Sequence, residues 1–220
     1  MANWDIAACE FAEKNLYTAV VSDSLDQLGI RHQAMRESLR PIHKTCVFAG
    51  WARTLSCSDI YHIPADPYGV EIEAVDSLLP GEVAVVGTQR STRNAPWGEL
   101  LSTAAKARGA RGAVVDGLVR DVSKIEDIRF PVFAAGIKPV DSMGRGIVTA
   151  YNVPVECGDV LVHPGDFVFG DLDGIIVIPG PSVQEVLALA YDKVTRENHS
   201  RAELQNGAYL RDVFAKFGVL

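Results

Sequence analysis

Apolar positions change rhythm along this 220-residue chain. Near its start, Trp4, Ala7, Ala8, Phe11 and Ala12 recur with a helical period, and a second apolar face runs from Val20 through Leu25 to Leu28 before Gly29. The first forty residues therefore read as helical, with Thr18 or Ser22 beginning or capping the second helix. From Cys46 the period shortens. VFAGWARTLSC, EVAVVG, GAVVDG and PVFAAG are short, rich in β-branched residues and bounded by Gly or Pro, with helical stretches between them. Strands alternating with helices predict a partly parallel sheet with helices packed outside, because parallel neighbours need a crossover of about a dozen residues. After Gly146, GIVTAYNVPVEC and DVLVHPGDFVFGDLDGIIVIP are strand-rich, broken by the turn signals Pro164-Gly165-Asp166 and Asp171-Leu172-Asp173-Gly174, so this half is expected to be antiparallel. Ser182 to Glu203 reads as one long helix with Val183, Val186, Leu187, Ala190 and Val194 on a face, followed by a short amphipathic tail from Tyr209 to Phe217. No repeat, linker or composition break divides the chain, so residues 1–220 are expected to form one α/β domain.

Composition narrows the function classes. Lys+Arg 21 against Asp+Glu 28 leaves a net charge of −7, without a basic cluster, which lacks the footprint of a protein that binds nucleic acid through phosphates. An anionic substrate must then be met by local cations or a metal. Asp5, Glu10 and Glu13 interrupt the stretch a signal peptide would need, and no apolar run approaches about 18 residues, so a cytoplasmic protein without a membrane segment is expected. Cys9, Cys46, Cys57 and Cys157 are scattered, with no Cys-x-x-Cys pair, and read as reduced core residues.

The richest segment chemically is PWGELLSTAAKARGARGAVVDGLVRD, Pro96 to Asp121. Gly98 to Arg108 is predicted to be a helix with Leu101, Ala104 and Ala105 inward, ending at Gly109; the strand GAVVDG follows, then a loop bearing Arg120 and Asp121. The loop entering that helix offers unpaired backbone N–H groups to a carboxylate or phosphate. The next strand's C-terminal end, Asp116 to Asp121, lies where open α/β sheets place ligands. Glu99, Arg120 and Asp121 are therefore expected at one rim. A guanidinium beside a carboxylate suits an enolate and a hard cation, and Mg²⁺ often takes only one or two protein carboxylates. The competing reading makes Asp121 the cap of a following helix, VSKIEDI, Arg120 a surface cation and Glu99 a favourable first-turn acid.

These residues carry a resemblance. An acid, twenty intervening positions and then Arg-Asp, here Glu99 and Arg120-Asp121, resembles the signature of the class II pyruvate aldolases acting on 4-hydroxy-4-methyl-2-oxoglutarate and 4-carboxy-4-hydroxy-2-oxoadipate, relatives of the regulator of ribonuclease E activity A. FPVFAAG, HPGDFVFGDLDGIIVIP, TAVVSDSLDQLG, RAELQNG and VFAKFGV extend it over most of the chain. The resemblance implies an RraA-like single-domain layered sandwich with a mixed sheet and outer helices. It implies a lyase using Mg²⁺ or Mn²⁺ that releases pyruvate, with oxaloacetate decarboxylation as a companion activity. Asp121 would be the metal ligand, Arg120 would bind the 2-oxo oxygen and stabilise the enolate, and Glu99 would position water on the metal. Backbone N–H groups of Gly98, Glu99, Leu100 and Leu101 would hold the substrate carboxylate. It further implies a homotrimer, sometimes doubled to a hexamer, with a carboxylate from the neighbouring subunit; Glu197 is the candidate, and Glu203 fits the same description.

Two other function classes stay in play: a non-catalytic binding protein like the ribonuclease regulators, against which Glu99 argues, and the same scaffold acting on another oxo acid. Asp59 to Val70 and Lys138 to Arg145 are the segments expected to select the substrate. Asp171-x-Asp173-Gly174 starts like a calcium loop but lacks a downstream bidentate Glu and reads as a hairpin turn. His62 and His163 have no partner at ligand spacing, although His62 sits in a loop within reach of a substrate on this reading. No Gly-x-Ser-x-Gly elbow, Walker lysine motif or dinucleotide fingerprint is present. Arg53 is expected to face solvent, or, if turned inward, to pair with Asp116 or Asp121.

Overall fold

A computed structural model describes residues 4–219. Its centre is a mixed eight-stranded sheet. The strands β2 (Phe48–Asp59), β3 (Glu82–Gly87), β4 (Gly112–Val119) and β5 (Val132–Ile137) are parallel neighbours, joined by α3 (Gly69–Asp76), α4 (Glu99–Ala107) and α5 (Val122–Asp127). The short β1 (Arg40–Pro41) closes the β5 edge antiparallel. At the other end the pattern after Gly146 turns antiparallel, as its hairpin signals imply. β6 (Gly146–Tyr151) pairs with the second half of β2, while β9 (Phe167–Asp171) pairs with its first half and with β10 (Gly174–Ile178). A separate two-stranded ribbon, β7 (Val155–Cys157) and β8 (Val160–Val162), lies over the sheet.

The parallel strands are buried on both faces, and their period of two sorts them into two cores. Ala84, Val86, Ala113, Val115, Val132 and Ala134 face α3, α4 and α5. Their alternates Val83, Val85, Val114 and Phe133 face Met35, Leu39, Phe48 and the β7–β8 ribbon. A third core joins α1 (Ile6–Asn15), α2 (Thr18–Gln27) and the start of α6 (Val183–Gln205) to β9 and β10, and α7 (Leu210–Phe217) folds back on α6. The four cysteines are free and buried. Among the described residues no helix is long and apolar enough to cross a membrane.

Three expectations are corrected. Helix does not fill the first forty residues: α2 ends at Gln27, Gly29 and His32 take positive φ, and the chain then bridges β10 while Met35 and Leu39 plug the sheet. Trp4 precedes α1 and stacks on Trp51 with ring centroids 5.1 Å apart, and Ala7 is exposed. Arg53 neither faces solvent nor reaches Asp116 or Asp121. Its guanidinium meets Glu82 of β3 at 3.0 Å and Ser77 at 3.3 Å, because parallel register sets Arg53 opposite Ala84, close to the start of β3. Asp116, 1% exposed on β4, is held by Arg36 instead.

Candidate active site

The expected helix is α4, with Gly98 as its N-cap, Arg108 at its C-cap and Gly109 at φ +83°. Contacts of Trp97 and Ser102 fix where it starts. Trp97, 1% exposed, bridges Val119 at the end of β4, and the Arg120 N–H donates to the Trp97 carbonyl at 3.0 Å. The Trp97 indole N–H donates to Ser102 Oγ at 2.8 Å, and Ser102 donates to the Gly98 carbonyl at 2.9 Å. The first turn of α4 is thereby tied beside the C-terminal end of β4, so Glu99, Arg120 and Asp121 share one rim.

Asp121 is the strained member. It sits at φ +61°, a left-handed conformation that costs a non-glycine residue free energy and that Asp tolerates better than most. It occupies the N-cap position of α5, yet its side chain makes no capping bond there. One carboxylate oxygen points instead at the α4 N-terminus, 3.4 Å from the Glu99 nitrogen and 3.7 Å from Arg120 Nε. The helix-cap reading thus holds for the backbone position and not for the carboxylate. Gly98 permits the approach, since a Cβ there would lie 2.6 Å from Asp121 Oδ2. Glu99 accepts from Thr103 Oγ1 at 2.7 Å, and Leu100, 78% exposed, stands beside it.

Arg120 is bracketed by two acids, which makes it more than a surface cation. Its Nη2 lies 3.0 Å from Asp141 Oδ1, and Asp141 Oδ2 accepts from the Tyr68 hydroxyl at 2.7 Å and the Met143 N–H at 2.9 Å. Burial pushes the Asp141 carboxyl up, but these donors and the Arg120 charge outweigh it and hold Asp141 below the usual carboxylate range. The same hydrogen bond pushes the Tyr68 hydroxyl up to about 12. Glu71, on the first turn of α3, is pushed up to about 7 by burial and the Asp141 charge, against the opposing pull of Arg120.

Tyr68, Glu71 and Asp141 were not singled out from the sequence. Tyr68 and Asp141 do lie inside the two segments expected to select substrate. Other candidates fall elsewhere. Glu197 is bonded to Tyr17 and lies 4.0 Å from Lys193, in a groove between α2, α6 and α7, while Glu203 pairs with Lys216. Within one protomer, neither is among the partners of Arg120 or Asp121. His163 contacts Asp166, His62 is exposed, and Asp171 and Asp173 flank the β9–β10 hairpin. Among the described residues no group of three or more His, Cys, Asp or Glu could hold a metal ion.

The chain is similar to several known proteins. The model of the RraA-like family, described as Aldolase/RraA, matches residues 18–177. An uncharacterized protein of Methanocaldococcus jannaschii is 39% identical over 60% of this chain and 62% of its own length. A Halalkalibacterium halodurans protein named "Putative 4-hydroxy-4-methyl-2-oxoglutarate aldolase" is 32% identical over 82% of this chain and 80% of its own. The crystal structure of a Streptomyces coelicolor protein, described as an unusual member of the RNase ES inhibitor RraA protein family, superposes with a TM-score of 0.79 at 28% identity, covering 91% of this chain and 98% of the other.

Proposed function

Because the chain belongs to the RraA-like family, we propose that it is a divalent-metal-dependent carbon–carbon lyase that cleaves a 2-oxo acid such as 4-hydroxy-4-methyl-2-oxoglutarate to pyruvate, and that it also decarboxylates oxaloacetate. The observation that carries the proposal is the convergence of Arg120, Asp121 and Glu99 at the N-terminus of α4. Aldolase names among the relatives support the same reading.

Asp121 and Glu99 are a hard, oxygen-only donor set, with the Asp121 carboxylate 46% exposed and aimed at the site. That chemistry fits hydrated Mg²⁺ or Mn²⁺, which keep several waters and need few protein carboxylates, and would not suit a thiophilic metal. Asp121 would hold the ion and Glu99 would orient its waters. The bound ion supplies Lewis acidity toward the 2-oxo oxygen. Arg120 supplies a planar fork for the charge that develops on that oxygen, and Asp141 with Tyr68 keeps the fork aimed. N–H groups of Gly98, Glu99, Leu100 and Leu101 would hold the C1 carboxylate, aided by the positive end of α4. We further place the sites in a homotrimer, with Glu197 reaching a neighbouring site.

Asp121→Ala is expected to lose Mn²⁺ binding and turnover together. Arg120→Lys is expected to keep Mn²⁺ affinity but lose about 100-fold or more in kcat, since a lysine cannot reproduce the fork. Titration with Mn²⁺ alongside pyruvate release separates the two. Full metal-dependent turnover in Asp121→Ala contradicts the metal assignment. The inhibitor name of the Streptomyces relative favours a second reading, a non-catalytic binding protein, which predicts no metal binding in the unaltered chain.

A further inference from the structure

Ser142, the neighbour of the Asp141 that pairs with Arg120, lines a narrow cavity. Glu71 enters it from α3, Asn94 and Pro96 from the segment leading into α4, Ser142 from the residue after Asp141, and Asp59 from the end of β2. Asn94 is 4% exposed and Ser142 7%. Neither side chain, nor the Glu71 carboxyl, has a hydrogen-bond partner among the described residues. Gly146 is a glycine where the Asn94 amide lies, for a Cβ there would stand 2.6 Å from Asn94 Nδ2. The Asn94 amide is thus open to a small polar guest in the cavity, which would give it a hydrogen bond. A water bonded by Asn94 and Ser142 would also reach a carboxyl.

The charges around that carboxyl are defined. Arg120 and Asp141 face Glu71 from the site side and are engaged with each other at 3.0 Å. On its own helix, Glu73 accepts from Tyr151 at 2.9 Å, and Tyr68 donates to Asp141. From β2, Asp59 accepts from Ser91 at 2.7 Å and lies 3.6 Å from Arg93, while the Cys57 thiol is pushed up to about 12, chiefly by burial. No cation is bonded to Glu71 among the described residues. It is a half-buried acid that lines the cavity, held up by burial and by the charge of the Asp141 that pairs with Arg120.

We propose that Glu71 is the proton carrier of this site, exchanging one proton with the substrate through a water held by Asn94 and Ser142. The inference rests on the lyase reading. In aldol cleavage the C4 hydroxyl proton passes to the Glu71 carboxylate as the C3–C4 bond breaks. C4 becomes a carbonyl, and the bonding pair becomes the pyruvate enolate whose oxygen Arg120 holds. The same proton then returns to C3, making the methyl group of pyruvate. In decarboxylation the bond to the leaving carboxylate breaks, CO₂ departs, and neutral Glu71 supplies the proton to C3 before solvent reprotonates it. One residue thus starts as base in the first reaction and as acid in the second.

This difference is the test. With Mn²⁺ saturating, cleavage of 4-hydroxy-4-methyl-2-oxoglutarate is expected to rise as pH increases through about 7, and decarboxylation of oxaloacetate to fall through the same value. Glu71→Gln is expected to erase both limbs and lower cleavage about 100-fold at unchanged Mn²⁺ affinity. Glu71→Asp keeps both limbs at a shifted pH. A second readout needs no turnover. The folded carboxyl at about 7 keeps a proton that the unfolded chain releases near 4.5, so the unaltered protein loses stability as pH rises between those values. Glu71→Gln lacks that slope in its unfolding midpoint. Limbs unaltered in Glu71→Gln, or equal stability slopes, overturn the proton role and leave the lyase reading standing. No pyruvate from the unaltered protein overturns the lyase reading, and the carrier with it.

Discussion

Asp121 shows what a single residue reveals and conceals. Its neighbourhood with Arg120 and its spacing from Glu99 are written in the sequence, and the structure brings the three to one rim. Its left-handed backbone is not written there, since φ +61° is imposed by the Trp97 bridge to β4 and the start of α5 rather than by Asp itself. That backbone aims the Asp121 carboxylate at the N-terminus of α4. Gly98 belongs to the same device, because its missing side chain is the space the Asp121 carboxylate fills. Gly98→Ala is therefore expected to displace that carboxylate and weaken Mn²⁺ affinity about 10- to 100-fold while the unfolding midpoint barely moves, measured by Mn²⁺ titration and urea denaturation. Tyr68, Glu71 and Asp141 escaped sequence reasoning because each has an ordinary polar neighbourhood along the chain. What makes them chemical is tertiary: Asp141 is 73 residues from the Tyr68 that bonds it.

At the scale of elements, strand periodicity was the dependable guide. EVAVVG, GAVVDG and PVFAAG alternate between two buried faces, and α4 begins and ends where its Gly residues predict. The errors came where tertiary contacts overrode local pattern, in the irregular stretch after α2 and at Arg53. An arginine on a strand gives no sequence clue to its side, since its partner Glu82 arrives only through the β2–β3 register. Glu82 is 1% exposed and also accepts from the Leu79 N–H and the Trp4 indole, both at 2.8 Å, so the pair ties α3, β2, β3 and the N-terminus together. Glu82→Ala leaves the Arg53 guanidinium buried without its carboxylate. A loss of about 3–5 kcal/mol is expected in urea unfolding, with secondary structure retained in the folded baseline. A loss below about 1 kcal/mol would show that the guanidinium finds water instead.

The whole molecule sets the last condition on the site. Glu197 points into a groove between α2, α6 and α7 that also holds the buried Ser200, and burial pushes its carboxyl up. A role for it at Arg120 requires a second copy, so sedimentation velocity at assay concentration is expected to give a trimer or hexamer, and a monomer removes Glu197 from the site. Assembly was not legible from the chain's own pattern and was implied only by the family resemblance, whereas the metal was suggested by the Arg120–Asp121 pair as well. Both hang on whether a pyruvate-releasing centre exists. The most direct measurement is pyruvate release by chelator-treated protein from 4-hydroxy-4-methyl-2-oxoglutarate and from oxaloacetate, with and without added Mg²⁺ or Mn²⁺. Release from at least the first substrate that appears only when metal is restored is the expected result. A folded, metal-loaded protein that yields no pyruvate from either would contradict a lyase centred on Arg120 and Asp121.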